Sequence, residues 1–261
     1  MNRVALLLIL TASFVHAQPA DRGQGQTATP AGDLLITVEF NRSMTGNVPP
    51  QMSDAARMNE SILVIKVKGA RVALTSKPLH PTVPFDFTFV SDTASGEIVT
   101  IDHARKEYTR DKEGPPAEEL AAIRKGYEKL NGPQPKERPI AKPTGKTAEI
   151  SGYPVEEYVA ETPKARYTYW VAPSLKKYVH VVATTLTACD GPVGALAMMW
   201  QPDPAKFPGV PIRTILEYRR DGYTVVSTTT TLSFREVKLS DEDFAIPSGY
   251  KEVAIGSHEP K

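Results

Sequence analysis

The chain has 261 residues and 41% hydrophobic content, enough for one substantial core. Its 31 Lys and Arg against 30 Asp and Glu give a formal net charge of +1, and the two signs are interleaved. Nothing electrostatic directs such a chain to nucleic acid or to an anionic membrane surface. A single cysteine, Cys189, excludes an intramolecular disulfide, and a lone thiol of this kind reads as a small buried hydrophobe.

The chain opens with MNR, a short basic stretch, followed by the apolar run VALLLILTASFV and a small residue at Ala17. This is the grammar of a secretory signal peptide over residues 1–17, with a mature chain that starts at Gln18. The run is too short for a comfortable membrane span, which needs about 20 apolar residues. The expected location is therefore periplasmic or secreted, with no transmembrane segment after cleavage. Loss of Arg3 brings the formal charge to 0. Residues 18–32 are polar and small, and are expected to be disordered.

From LLITVEF onward, short runs rich in Val, Ile, Thr, Tyr and Phe alternate apolar with polar: SILVIKVK, RVALTSK, FDFTFVS, EIVTIDH and KEYTR. After a break the pattern resumes with TAEISGY, VEEYVAE, RYTYWVA, KKYVHVVA, IRTILEYRR and YTVVSTTTTLSFREV. Turn signals separate many of them, including Asp221-Gly222, expected to form a type I′ hairpin. Short connections predict antiparallel neighbours. The 23 prolines gather between runs, in keeping with many short elements and stiff turns.

Two segments break this rhythm. PPAEELAAIRKGYEKLNG has Pro and acids at its start and Lys near its end, and it sets Leu120, Ile123, Tyr127 and Leu130 on one helical face. GPVGALAMMWQPD predicts a short apolar helix or turn from about Val193 to Trp200. Residues 132–144 read as a Pro-rich linker inside one domain spanning 33–256, with a tail at 257–261. No internal repeat is visible.

Catalytic and metal-binding patterns are weak. His80, His103, His180 and His258 lack the spacings that place two imidazoles on one metal. Asp102 and His103 are strand neighbours facing opposite ways. There is no G-x-S-x-G elbow, and S-x-x-K at Ser174–Lys177 is expected in a hairpin rather than at the start of a helix. Glu156-Glu157 and the acidic run 241–243 read as solvated surface or turn chemistry. The N-x-S triplets at Asn41 and Asn59 are acceptors only in a glycosylating host. Residues 143–147, PTGKT, end like a phosphate-binding loop, but the first glycine of that motif would fall at Ile140. Prolines precede it and a strand follows, so a nucleotide site is rejected. No cofactor motif appears, and the chain reads as non-catalytic.

What remains is a binding geometry. An apolar sheet face under a helix and a segment bearing Met and Trp can hold hydrocarbon, at about 0.8 kcal/mol for each buried CH₂. The candidate lining is Trp170, Met198, Met199 and Trp200, with Ile123 and Tyr127 from the helix. Met suits irregular apolar ligands because its thioether side chain adapts. The competing expectation is that these residues plug a filled core.

Six stretches together resemble a family of exported bacterial proteins known chiefly as a domain of unknown function. They are T-G-K-T (144–147), I-S-G-Y-P (150–154), E-E-Y (156–158), Y-W-V-A-P (169–173), F-P-G-V-P-I (207–212) and D-E-D-F-A-I-P-S-G-Y (241–250). That family looks like a distant relative of the periplasmic lipoprotein carriers (LolA/LolB-like), whose open half-barrel holds acyl chains. The resemblance implies that T-G-K-T leads into a strand pair and that I-x-G-Y marks its turn.

The expectation is thus an α+β domain, a large curved antiparallel sheet (an open half-barrel) covered by one or two helices. Its ligand would be a lipid or a lipoprotein acyl chain. The alternative is a filled-core module that docks another envelope protein.

Overall fold

The computed structural model describes residues 32–50, 60–79, 86–111, 116–183 and 198–254. The expected signal peptide, residues 18–31, Cys189, His80, His258 and the tail lie outside this set, as does most of the predicted apolar segment before Met198.

Twelve strands form one open sheet. The first six are β1 (Leu34–Gly46), β2 (Ser61–Lys68), β3 (Arg71–Pro78), β4 (Phe87–Asp92), β5 (Glu97–Asp102) and β6 (Glu107–Asp111). Helix α1 (Ala117–Asn131) follows, then β7 (Lys142–Ile150), β8 (Tyr153–Glu161), β9 (Ala165–Ala172), β10 (Val210–Arg220), β11 (Tyr223–Glu236) and β12 (Lys251–Glu252). The spatial order is β12-β6-β5-β4-β3-β2-β1-β11-β10-β9-β8-β7, so two meanders join where β1 pairs antiparallel with β11.

The period-2 reading is realised most cleanly in β2, where buried and half-buried residues alternate along the whole strand. Leu34, Leu63, Ile65 and Val72 are all but sealed from solvent, each contributing about 1.5–3 kcal/mol on burial. Both edges resist further pairing. β12 is two charged residues long, and β7 carries Lys142, Pro143, Lys146 and a break in its register with β8.

The expected α+β class is corrected to a mostly β protein. Among the described residues α1 is the one long helix; the rest are 3-10 turns and the helical residues 50 and 179–183. The sheet is open, and the described helices do not blanket it. KKYVHVVA, expected as a strand, is helical: Pro173–Tyr178 is a 3-10 turn and 179–183 continues as helix. Leu175, Tyr178, Val179 and Val182 recur at helical spacing, and that stripe packs into the main core. Ser174–Lys177 therefore does open a helical turn, against expectation. Lys177 instead pairs with Glu236 at 3.0 Å, and hydrogen bonds to Tyr178 and Glu236 raise its pKa, the reverse of what a general base needs. The Asp221-Gly222 turn is not type I′ either, since only Gly222 has positive φ.

At one end the sheet forks. β10 and β11 pair only from Arg213 opposite Thr230 to Arg220 opposite Tyr223. Beyond that, Val210 stays with Ala172 of β9, while β11 follows β1 as far as Glu236. The wedge is filled by Val210, Ile212, Leu175, Tyr178 and Phe234, the last two rings 4.9 Å apart. Tyr153, at the β7–β8 turn, donates to Phe234 O at 3.2 Å. In a flat sheet β8 and β11 would lie about 14 Å apart, beyond a tyrosine's reach, so the β7–β10 side curls over the fork.

Gly209, in the F-P-G-V-P-I stretch, holds this geometry. A Cβ there would sit 2.0 Å from Ala172 O. Gly209→Ala is expected to destabilise by at least about 2 kcal/mol through overpacking. Gly126→Ala, in α1 with nothing within 4 Å of the added Cβ, should stabilise by about 0.5–1 kcal/mol. Thermal melts of the two variants check both signs.

The C-terminal segment straps the opposite side of the first meander. Leu239 and Phe244 pack on Ala73, and Tyr250 Oη meets His103 Nδ1 at 3.0 Å while His103 Nε2 meets Thr88 Oγ1 at 2.8 Å. The acids read as solvated surface or turn chemistry sit in an exposed 3-10 turn and also act as anchors: Asp243 pairs with Lys66, and Asp241 with Lys68 and Arg71. Lys68, then Arg71, lowers Asp241 from 3.8 to about 2. Lys66, then Ser240, lowers Asp243 equally, to about 2. Both folded pKa values lie below the unfolded ones, so this stabilisation is complete above pH 4 and is lost as pH falls through 2. Acid titration of Asp241→Asn/Asp243→Asn should show a shallower stability loss between pH 4 and pH 2 than the parent; equal slopes count against the anchors.

Candidate functional site

Between β6 and β7 the chain forms α1 and the segment 132–141, which pack beside residues 199–202. α1 starts at Pro116 with Glu118 and Glu119 in its first turn, and ends at Gly132, whose N–H bonds Glu128 O. Its apolar stripe meets the 3-10 turn Met198–Trp200. Tyr127 and Trp200 stack at 5.8 Å with planes 20° apart, and Ile123, Leu120 and Met199 complete the cluster. Trp200 Nε1 donates to Gly132 O at 3.1 Å. Arg138 closes the unit, with Nε to Gln201 O at 3.0 Å and Nη2 to Pro202 O at 2.8 Å.

Of the six candidate lining residues, the structure brings together Ile123, Tyr127, Met199 and Trp200. Met198 sits in the same turn. Trp170 is separate: half-buried on β9, it packs against the main core of the sheet. The α1–Trp200 cluster contains no sheet residue among the described ones. The cover is therefore packed and hydrogen-bonded within itself.

A second cluster, on β8–β10, is one that the sequence reading missed. Tyr167, Tyr169 and Val171 alternate along β9 and are buried with Leu216 of β10, and the Phe207 ring lies 4.8 Å from that of Tyr169, tilted by 47°. Burial raises the pKa of Tyr167, of Tyr169 and of Tyr218. Tyr167 and Tyr218 share a hydrogen bond. Arg42 Nε donates to Ser227 Oγ at 3.1 Å, and burial lowers this guanidinium's pKa. Tyr169 is 0% exposed and, among the described residues, its Oη has no hydrogen-bond partner. An orphaned buried hydroxyl costs about 1–3 kcal/mol. Alternation of three aromatic or apolar residues along RYTYWVA was the signal available for this wall.

The T-G-K-T stretch has a structural role. Gly145, at φ +83°, sits in the register break of β7, and the bulge turns Thr144 and Lys146 onto Glu157. Thr144 Oγ1 donates to Glu157 at 2.7 Å and Lys146 Nζ lies 3.2 Å away. The Thr144 hydrogen bond, followed by Lys146, holds this buried carboxyl below its usual range, so Glu157 is not the solvated residue expected. Ser151 and Gly152 both take positive φ between Ile150 and Tyr153, as the I-x-G-Y turn requires.

If the cover is a unit, removing its aromatic centre should loosen it alone. Trp200→Ala is expected to cost about 3–5 kcal/mol locally. Hydrogen exchange in residues 117–131 should then speed up while amides of β1, β2 and β11 keep their protection. Uniform acceleration of helix and sheet would show one shared core instead.

No protein-family model matches the sequence, and no curated protein matches it. Solved structures with some likeness include an uncharacterized conserved protein from Thermus thermophilus, at 9% identity and a TM-score of 0.46 over 86% of this chain and 91% of that one. PNGF-II is matched at 15% identity and a TM-score of 0.37, over 86% of this chain but only 32% of its own length. Neither likeness is close enough to carry function.

Proposed function

We propose that this is an exported, non-catalytic protein that binds a hydrophobic ligand, an acyl chain or the lipidated end of a partner, between the sheet and the α1–Trp200 cover. The observation that carries this reading is the separation of the two apolar units. Tyr127, Ile123 and Trp200 bury one another, while Tyr167, Tyr169 and Leu216 belong to the wall below. Two surfaces that each keep their own core can part and admit hydrocarbon without unfolding either. The resemblance to the lipoprotein carriers points the same way.

A second reading, a filled-core module docking an envelope protein, draws on Trp200 itself, which is 4% exposed with its indole N–H bonded. The two readings differ in what a charge at Met199 does. With a ligand between cover and sheet, Met199→Asp should weaken binding of a long-chain lipid by several kcal/mol, because the carboxylate must be desolvated against hydrocarbon. Folding should be affected far less. In a filled core the same change lowers the melting temperature sharply. Trp fluorescence titration and thermal melts decide this, alongside native mass spectrometry of envelope-purified protein for retained lipid. A large stability loss with no saturable fluorescence change would remove the carrier reading.

A further inference from the structure

We propose that Tyr169 and Arg138 form the head-group end of this ligand site, and that the group they take is a carboxylate, so that the ligand is a free long-chain fatty acid. The inference rests on the reading that an acyl chain lies between cover and sheet, and it names the chemistry at one end of that chain.

The first observation is the exception among the phenols. Tyr167 pairs with Tyr218 and Tyr178 with Glu236, but Tyr169, sealed at 0% exposure, leaves its hydroxyl unused. A buried donor that nothing among the described residues satisfies is a place where a ligand oxygen gains a full hydrogen bond. The second observation is Arg138. Its Nε and Nη2 are spent on the Gln201 and Pro202 carbonyls, but Nη1 faces Asp203 Oδ1 at 3.7 Å. That is long for a charge-assisted hydrogen bond, which closes at about 2.7–2.9 Å. The guanidinium therefore keeps donor capacity. Both groups meet the same stretch of chain: Arg138 bonds the carbonyls of Gln201 and Pro202, and Phe207, five residues on, has its ring 4.8 Å from that of Tyr169. The phenol stands on the wall and the guanidinium on the cover, so the pair marks the junction the ligand would enter. Phe207 and Tyr158, whose rings meet edge-on at 5.8 Å, make the surroundings apolar.

Charge selects the group. One neutral donor and one cation, already partly offset by Asp203, suit a single negative charge. A phosphate dianion would face Asp203 and want more donors. An ester or amide carbonyl can accept from Tyr169 but draws little on the cation.

The experiment uses the delipidated mature protein, titrated at pH 8 with hexadecanoic acid, its methyl ester and hexadecyl phosphate, followed by Trp fluorescence and calorimetry. The acid is expected to bind about tenfold or more tighter than either of the others, one charge-assisted hydrogen bond's worth. Tyr169→Phe should cut the acid-over-ester preference about fivefold or more without lowering the melting temperature, since the lost hydroxyl has no partner. Arg138→Gln should abolish the preference; should that variant fail to fold, Tyr169→Phe still decides. Equal affinity for acid and ester, tighter binding of the phosphate, or a preference that survives Tyr169→Phe overturns the carboxylate site while leaving an acyl carrier standing. Binding of none of the three removes the carrier reading itself.

Discussion

Pairing of β1 with β11 is the constraint from which the rest of the architecture follows. It sets the two meanders side by side and so puts β6 near one edge of the sheet and β7 at the other. Ten strand spacings, about 48 Å if flat, separate them. The chain must cover that span between Asp111 and Lys142. A fifteen-residue helix spans about 22 Å, and the remaining residues, at up to about 3.3 Å each, cover the rest without full extension. The crossing is thus a topological necessity, whatever else α1 does. What the sequence adds is the apolar stripe on α1 and the aromatic turn that meets it.

That origin explains why cover and wall pack separately. α1 is delivered by its connections at both ends, and its buried face is spent on Trp200 and Met199. Residues 132–138 and 200–203 then lash together through Gly132 O and the Arg138 guanidinium. The wall under the cover closes on Phe207 instead. The Tyr169 hydroxyl belongs to the wall and, among the described residues, has no hydrogen-bond partner. Stability alone favours phenylalanine there.

Much of this was legible from residue patterns, and the failures share a cause. Strands such as SILVIKVK alternate because one face is buried along their whole length, and that signal is local. The I-x-G-Y turn and the α1 stripe are equally local. KKYVHVVA failed because Tyr and Val favour strands intrinsically, while its helical stripe, begun at Leu175, serves a fork between β10 and β11 that no local pattern encodes. Glu157 was misjudged for the same reason, since register brings Lys146 to it. Asp241 and Asp243 do sit at a solvated turn, but their partners Lys66, Lys68 and Arg71 are met only through the C-terminal strap. The six lining candidates were half-resolved: periodicity places Ile123 and Tyr127 on one face, but only the crossing chain seats Trp200 on them and leaves Trp170 elsewhere.

An open sheet of twelve strands has two edges where another strand could add, and this chain blunts both. The Gly145 bulge interrupts β7 and turns Lys146 onto Glu157, while Pro143 removes an edge donor. At the far edge the strap ends in two paired residues, with Tyr108 Oη bonded to Glu252. The strap also occupies part of the face of β3 and β4 opposite the main core, through Leu239 and Phe244. Growth by strand addition is thereby disfavoured, and large exposed apolar side chains among the described residues are three scattered ones, Leu79, Ile140 and Leu232. Scattered residues make no docking patch. With edges blunted and no broad apolar surface offered among the described residues, the proposed site at the junction of cover and wall does not compete with strand addition or surface docking there.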